Sequence, residues 1–355
     1  MRIISVVVYL LTILSAFGGK VNPDYFTFPS ILCLAFPYLS LFSILLGIFW
    51  AIRRKIIYCA LAIVTIVICL TPLSIAFPLG SSRKPAKDAQ TFKIISWNVI
   101  HTEDLRKPDY PGNRAVEFMV NSGADIIGLA EMDNFTTELK TAPESLRDSL
   151  FSIYPYRSGS PSSDIKLLSK YPVKNLERNL KGNPGESKYD FFLVNFPDNK
   201  ELIVGMVHLY SFGLSEHERQ VVTEINSVKS AKTSMKEFKG PIRNKMRNAF
   251  RRRAENATSL REVIDDLNTE TPLIICGDFN DVPTSWAYNI VRGDDMRDAY
   301  VETNFGPAIT YNLHAFYFHI DQMLYRGPIE ALDLSVGKIN TSDHYPLIGV
   351  FQFLP

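Results

Sequence analysis

The sequence predicts an α/β fold of two mixed β-sheets flanked by helices, preceded by N-terminal transmembrane helices. Three observations predict it. The first eighty or so residues are strongly apolar and carry very few charges. Beyond them the composition is the mixed one of a soluble globular domain. In that second part, short β-like runs alternate with a few helical stretches, and some runs are neighbours in sequence. This favours a sandwich of two mixed sheets over a simple βαβ barrel.

The apolar part divides into three segments, Ile3–Gly19, Tyr25–Ile52 and Ile56–Gly80. Each is near or above the roughly 18 to 20 apolar residues that cross a bilayer. The second contains Pro29 and Pro37, which a membrane helix tolerates at the cost of a kink. The first lacks a small-x-small cleavage site and is followed by two longer segments, so three spanning helices are expected instead of a signal peptide. Arg53, Arg54 and Lys55 crowd the second loop, while Lys20 in the first loop is balanced by Asp24. The positive-inside rule then puts the N-terminus and the second loop in the cytoplasm and everything after Gly80 outside. Arg83, Lys84 and Lys87 pull the other way. The expectation is a multi-pass membrane protein, in a bacterial cell one of the inner membrane, with an extracytoplasmic catalytic domain. Residues 1–80 form the anchor, the polar "SSRKPAKDAQ" of 81–90 a juxtamembrane linker, and 91–355 the catalytic domain.

In the third region, strands are expected at 91–99, 125–131, 165–173, 189–196, 200–209, 272–279, 319–325 and 346–353. Helical patterns fit Asn113 to Ser122 and Ala254 to Leu267. No repeat is visible. The 38 basic and 37 acidic residues nearly balance, so no global field marks out nucleic acid or membrane as partner. One stretch is locally basic. Between Lys229 and Arg253, Glu237 is the only acid among Lys232, Lys236, Lys239, Arg243, Lys245, Arg247, Arg251 and Arg252. It reads as a solvated helical face or insertion, or as a surface that meets the phosphates of lipid headgroups or nucleic acid. Gly240 and Pro241 suggest two helices joined by a turn. Of the four cysteines, Cys33, Cys59 and Cys69 lie in the apolar segments and Cys276 stands alone in the soluble part. No disulfide within that part can form, and cysteine usage does not fix the compartment.

Strand after strand ends in a residue that chemistry can use. "IISWNV" presents Asn98, "IIGLAEMD" Glu131 and Asp133, "IVGMVHLYS" His208, and "LIICGDFND" Asp278 and Asn280. "FHIDQML" carries His319 and Asp321, and "TSDHYPL" supplies Asp343 and His344. Taken singly, Asn98 is a turn residue, His208 a satisfied core histidine and Glu131 a helix cap. Together they describe groups that a rigid support would gather at one edge. Glu131, Asp343 and the Asn98 amide are oxygen ligands suited to a hard divalent cation such as Mg²⁺, with Mn²⁺ as the alternative. Two histidines with partner carboxylates supply acid–base groups and a charge clamp. Zn²⁺ fits less well, because no Cys pair or His-x-x-x-His spacing occurs.

Over residues 91–355 the chain resembles the endonuclease/exonuclease/phosphatase superfamily of Mg²⁺-dependent phosphoesterases with a deoxyribonuclease-like fold. "SWNV", "GLAEMD", "VHLYS", "CGDFNDVP", "HID" and "SDHYPL" carry the resemblance, all in family order. "GDFN" followed by "SDHYP" is the most specific pair. The resemblance implies a four-layered α/β sandwich with the site at one edge of both sheets. It implies that Asn98, Glu131 and Asp343 form the metal region and that Asn280 and His208 hold phosphate oxygens. His344, supported by Asp321, would act at the attacking water or on the phosphate, and Asp278 is the other acid–base candidate. Which of Asp278 and His344 is the base stays open. Ala130 stands where the family usually has Gln before the metal-binding Glu, and His319 where Arg commonly precedes Ile-Asp. These departures bear on substrate contacts, with His319 a candidate for one. The family's inositol-polyphosphate phosphatases and abasic-site endonucleases fit poorly, the latter because His208 replaces their usual Tyr. The expected activity is a membrane-anchored phosphodiesterase acting on a phospholipid or another extracytoplasmic phosphoester. A nuclease of the same mechanism is the alternative, and a catalytically silent binding module the third reading. No protein partner is legible.

Overall fold

The computed structural model describes residues 1–161, 163–176, 189–213, 240, 242–313 and 316–355. The part that follows residue 90 contains two six-stranded mixed sheets. The first runs, edge to edge, β13 (Ile329–Val336), β14 (Leu347–Phe353), β1 (Thr91–Asn98), β2 (Ile126–Ala130), β4 (Lys166–Ser169) and β3 (Tyr156–Ser158). The second runs β5 (Val173–Asn175), β6 (Tyr189–Asn195), β7 (Glu201–His208), β8 (Leu273–Asp278), β12 (Asp321–Arg326) and β9 (Arg297–Asp298). A small hairpin, β10 (Tyr311–Leu313) with β11 (Phe316–Phe318), stands apart.

Each sheet is built around one parallel pair, β1 with β2 and β7 with β8, with antiparallel neighbours on both sides. Strand alternation then sorts the side chains. Phe92, Ile94, Ile126, Met206, Cys276, Met323 and Phe351 point between the sheets into one core. Ile95, Trp97, Ile127 and Leu129 face a second core under the helices Arg114–Asn121 and Glu144–Ile153. Leu273 and Ile275 face a third, under the helices Arg243–Asp265 and Trp286–Arg292. The four layers are helix, sheet, sheet, helix. A strand covered on both faces reads as a continuous apolar run, which is why "PLIIC" shows no alternation. Gly128 lets the sheets close together, since a Cβ there would come within 2.0 Å of the Met206 sulfur.

Several elements depart from the sequence expectation. The run 165–173 is not one strand. It splits into β4 in one sheet and β5 in the other, with Pro172 between them. Strand β13 was not expected. Its sequence, "IEALDLSV", sets half-buried Glu330 and Asp333 and exposed Ser335 between apolar residues, and its register shifts between Ala331 and Asp333. The second half of the basic segment continues without a break into the amphipathic stretch, as one helix from Arg243 to Asp265. Its first half, with Lys229, Lys232, Lys236, Glu237 and Lys239, lies outside the described residues.

The N-terminal part is a helical bundle of α1 (Arg2–Phe17), α2 (Phe28–Ile52), α3 (Ile56–Ile68) and α4 (Leu70–Ala76). The helices over Arg2–Lys20 and Phe28–Ile52 are long and apolar enough to cross a membrane. The third segment differs from a straight span. It bends by 68° at Cys69, so α3 and α4 are together one broken span or a re-entrant pair. Small and hydroxyl residues join the helices, as is usual where lipid removes the hydrophobic drive for helix pairing. Thr12 Oγ1 meets Ser43 Oγ at 2.7 Å, the Trp50 indole donates to Ser5 Oγ at 2.8 Å, and Gly47 lies against Ala62.

One end of the bundle is docked on the two-sheet domain. Cys33, in the second turn of α2, is buried against Val282 and Ile320. Ile31 and Leu34 pack beside Met246 and Phe250. The Asn289 amide donates to the Gly19 carbonyl at 3.2 Å, and Arg251 pairs with Asp24 at 3.1 Å. Residues 81–90 also lie along the domain, with Arg83 N donating to Leu332 O at 2.7 Å and Ala86 N to the Gln352 side chain at 2.7 Å.

Candidate active site

The carboxyl ends of the two parallel pairs meet at one edge of the sandwich. Strand β1 ends in Asn98, β2 is followed by Glu131, β7 ends in His208 and β8 in Asp278. The antiparallel neighbours reach the same edge with their beginnings. Strand β12 starts at Asp321, and Asp164 stands just before β4. The turn into β14 adds Asp343 and His344. Glu131 and Asn280 sit at φ 52° and 51°, a conformation that L-residues seldom adopt and that often marks functional positions.

Asp278 is the centre. It is buried, and it accepts hydrogen bonds from Asn280 N at 2.7 Å, Asn280 Nδ2 at 3.0 Å and Asn98 Nδ2 at 3.2 Å. Two imidazoles flank its Oδ2, His344 Nε2 at 3.5 Å and His208 Nε2 at 3.9 Å. Each imidazole is held from behind by a carboxylate. His344 Nδ1 lies 2.9 Å from Asp321 Oδ2, and His208 Nδ1 lies 2.6 Å from Asp164 Oδ2. Such a pairing fixes which ring nitrogen faces the site. Behind Asp164, the buried Lys166 ammonium donates to the carbonyls of Ser160 and Ser163 and so closes the loop that carries it.

Burial alone would push His344 down, but the charges of Asp321 and Asp278 outweigh it and hold its pKa up, at about 10. His208 is likewise disfavoured by burial, and its bond to Asp164 raises it overall. Burial raises Asp278, and Asp321 adds to this, against the pull of the two imidazoles. The edge therefore holds one carboxylate between two imidazole–carboxylate pairs.

Glu131 and Asp343 border this group. Glu131 Oε1 accepts from Asn98 Nδ2 at 2.9 Å and lies 3.5 Å from His208 Nε2. The Ser342 hydroxyl reaches Asn98 O at 2.8 Å and Asp343 Oδ1 at 3.3 Å, so Asn98 joins the two carboxylates. The donor set fits a hard divalent cation: two carboxylates and an amide, with Glu131 partly open to water. Cys276, the soft donor nearest in sequence, is buried between the sheets. The clusters with metal-ligand spacing among the described residues are Asp278–Asp321–His344 and His101–Asp133–Glu138. In the first, His344 is already the charged partner of both acids.

Asn98, Glu131, His208, Asp278, Asn280, Asp321, Asp343 and His344 thus fall at one edge. His319 does not join them. Its ring stands edge-on to Tyr300 at 4.9 Å, its Nε2 has no partner among the described residues, and burial lowers its pKa to about 4. Asp133 points to solvent, 3.9 Å from His101. Asp164 was missed by reading strand ends, because it precedes its strand. No signal in the sequence marks it, since β4 begins where the others finish only because it pairs antiparallel with β2. Arg253 was read with the basic surface, yet it is fully buried. Its guanidinium pairs with Asp281 at 2.9 Å and donates to Tyr210 O at 3.0 Å, tying the loop after Asp278 to the end of β7.

Residues 95–344 match the family model described as the endonuclease/exonuclease/phosphatase family. The chain belongs to that family. Its members are hydrolases that act on phosphoesters. Residues 1–75 match a second family model, described as a domain of unknown function. No curated protein matches the chain. Solved structures similar to this endonuclease/exonuclease/phosphatase include a family member from Bacteroides thetaiotaomicron (15% identity, 75% of this chain and 99% of that one, TM-score 0.48). A mutant beta toxin from Staphylococcus aureus with bound magnesium ions is 14% identical over 75% of this chain and 100% of that one, at TM-score 0.45. The human nocturnin catalytic domain with a bound sulfate is 14% identical over 74% of this chain and 94% of that one, at TM-score 0.47.

Proposed function

We propose that this protein is a membrane-anchored, divalent-metal-dependent phosphodiesterase that cleaves its substrate by in-line attack of water. The observation that carries the reading is Asp278 at the end of a buried strand, set between the His208–Asp164 and His344–Asp321 pairs. A phosphodiester carries negative charge that grows on its oxygens during attack, and preorganised cations answer it without reorganising. His344, held protonated by Asp321, and His208, supported by Asp164, supply that charge. A group with a pKa near 10 has its proton at neutral pH and does not act as a base. The proton of the attacking water therefore goes to Asp278. Asn280 orients Asp278 through two hydrogen bonds, and the second N–H of its side-chain amide is held by Leu209 O at 3.0 Å. Mg²⁺ (or Mn²⁺), held by Glu131, Asp343 and Asn98, would supply Lewis-acid polarisation of the phosphoryl oxygen when bound.

The anchor supports an integral membrane location, with the catalytic domain outside the cytoplasm and a lipid or other extracytoplasmic phosphoester as substrate. The nuclease reading draws on the exposed Arg243, Lys245, Arg247, Arg251 and Arg252. Replacing these five by Ser should then collapse a steep salt dependence on DNA. On the lipid reading, it should barely alter hydrolysis of a small soluble diester.

The test of the chemistry is turnover of bis(p-nitrophenyl) phosphate by the full chain in detergent. Activity should need Mg²⁺ or Mn²⁺. Glu131→Gln and Asp278→Asn should each lower kcat by roughly 10²–10⁴-fold. Undiminished turnover in excess chelator would sink the proposal.

A further inference from the structure

Leu79 and Phe305 are 81% and 80% exposed, although they pair with each other in an antiparallel bridge. Gly306 N donates to Pro78 O at 2.8 Å beside them, so both side chains are held out by defined backbone. Hiding a Leu or Phe from water is worth about 1.5–3 kcal/mol, and a contiguous exposed pair usually marks a contact surface.

Their position says what they meet. Leu79 follows the end of α4 at Ala76 by three residues, a reach of about 10 Å at most. The patch thus begins where the third apolar segment leaves the bundle. From Phe305 the chain runs through Ile309, 46% exposed, into the β10–β11 hairpin, where Tyr317 is 50% exposed. Its neighbours Tyr311 and Phe318 turn the other way and pack around Cys33 of α2 with Val282 and Ile320. Two residues of the hairpin therefore sit against the first turns of an apolar helix long enough to cross a membrane. At the same end of the bundle, Tyr25 and Phe26 are exposed where the chain turns from α1 to α2, as aromatic residues stand at a membrane–water boundary.

This rim touches the catalytic edge. Tyr311 forms a bridge with His344, and their rings lie 5.0 Å apart. Ile320, seated on Cys33, precedes Asp321. Resting on the membrane-anchored phosphodiesterase reading above, we propose that Leu79, Phe305, Ile309 and Tyr317 enter the interface of the bilayer that the anchor spans. The catalytic edge then stands at the height of the headgroups. The substrate is a phosphodiester headgroup of a lipid in that leaflet, hydrolysed without leaving the membrane.

The probe is the full chain in vesicles of four parts phosphatidylcholine to one part phosphatidylglycerol. Phe305→Cys is labelled with a fluorophore, and the wild-type chain treated identically is the blank. Nitroxide-bearing lipid should quench the label, and aqueous iodide should spare it. Separately, Phe305→Ser/Tyr317→Ser should keep the soluble diesterase rate within about twofold and lose about tenfold or more on the vesicle lipids. Quenching by iodide alone would put the rim in water and overturn the proposal. Protection from both quenchers would overturn it in favour of a protein cover, such as a second copy. Hydrolysis of the soluble diester with none of the vesicle lipid would overturn the substrate assignment. Failure to hydrolyse the soluble diester would instead remove the phosphodiesterase reading, while the quenching result would still decide the rim.

Discussion

His344 and Arg253 show how single residues hold this edge together. His344 is raised from 6.5 to about 10 by Asp321 and Asp278. A histidine raised on folding stabilises the folded state fully below its unfolded pKa, and that contribution is lost as pH rises through its folded value. Metal-free protein should therefore lose thermal stability between about pH 7 and 10, and Asp321→Asn should flatten that decline. Following the imidazole by NMR across the same range checks the cause, since its midpoint should fall in the variant. Arg253 and Asp281 form an ion pair with both partners buried. Removing one partner strands the other charge, so Arg253→Met should cost about 3–5 kcal/mol in denaturant unfolding, while Arg253→Met/Asp281→Leu should recover much of it. The polar strand ends were legible because buried runs stop abruptly at them. Asp164 was not, because one chain cannot show which strands run antiparallel. Arg253 was hidden among its basic neighbours, since charge composition does not reveal which face of a helix turns inward.

At the scale of elements, local pattern placed β1, β2, β6, β7, β8, β12 and β14, most of whose residues are buried. It merged β4 with β5, since four and three residues on either side of Pro172 look like one run. It missed β13, where half-buried acids interrupt the pattern, and the hairpin, which is too short to have a period. The seat of the bundle was also illegible. It depends on Gly19, where a Cβ would stand 1.8 Å from the Thr284 carbonyl oxygen. That contact is with backbone and has nowhere to move. Gly19→Leu should therefore loosen the bundle from the loop that follows Asp278 and Asn280. The expected reading is faster proteolytic separation of anchor from domain in detergent, with a lower kcat on the soluble diester. Unchanged cleavage kinetics would show that the seat does not bear on the site.

For the whole molecule, the near-balance of charge conceals a division between an apolar bundle and a mixed domain. Gly18–Lys20 and the first turns of α2 sit at the catalytic end of the bundle. The Arg53–Lys55 turn lies at the other end of α2, a helix of 25 residues and so about 37 Å long. With that basic turn in the cytoplasm, the catalytic domain faces outward. Protease added to intact spheroplasts should degrade residues beyond 80, and cleavage that appears only after lysis would reverse the orientation.

The pairing of β1 with β14 has a consequence for how the protein is made. Thr91 pairs with Gln352, so the first strand of the domain waits for nearly its whole length to be synthesised before its neighbour arrives. Closing so long a loop is entropically slow. The anchor's local helix contacts can form while most of the domain is still on the ribosome. Until β14 docks, β1 lacks one neighbour, and its free backbone edge is an aggregation hazard. Delivery of the last strand, and not insertion of the anchor, is the step at which a chaperone would matter most.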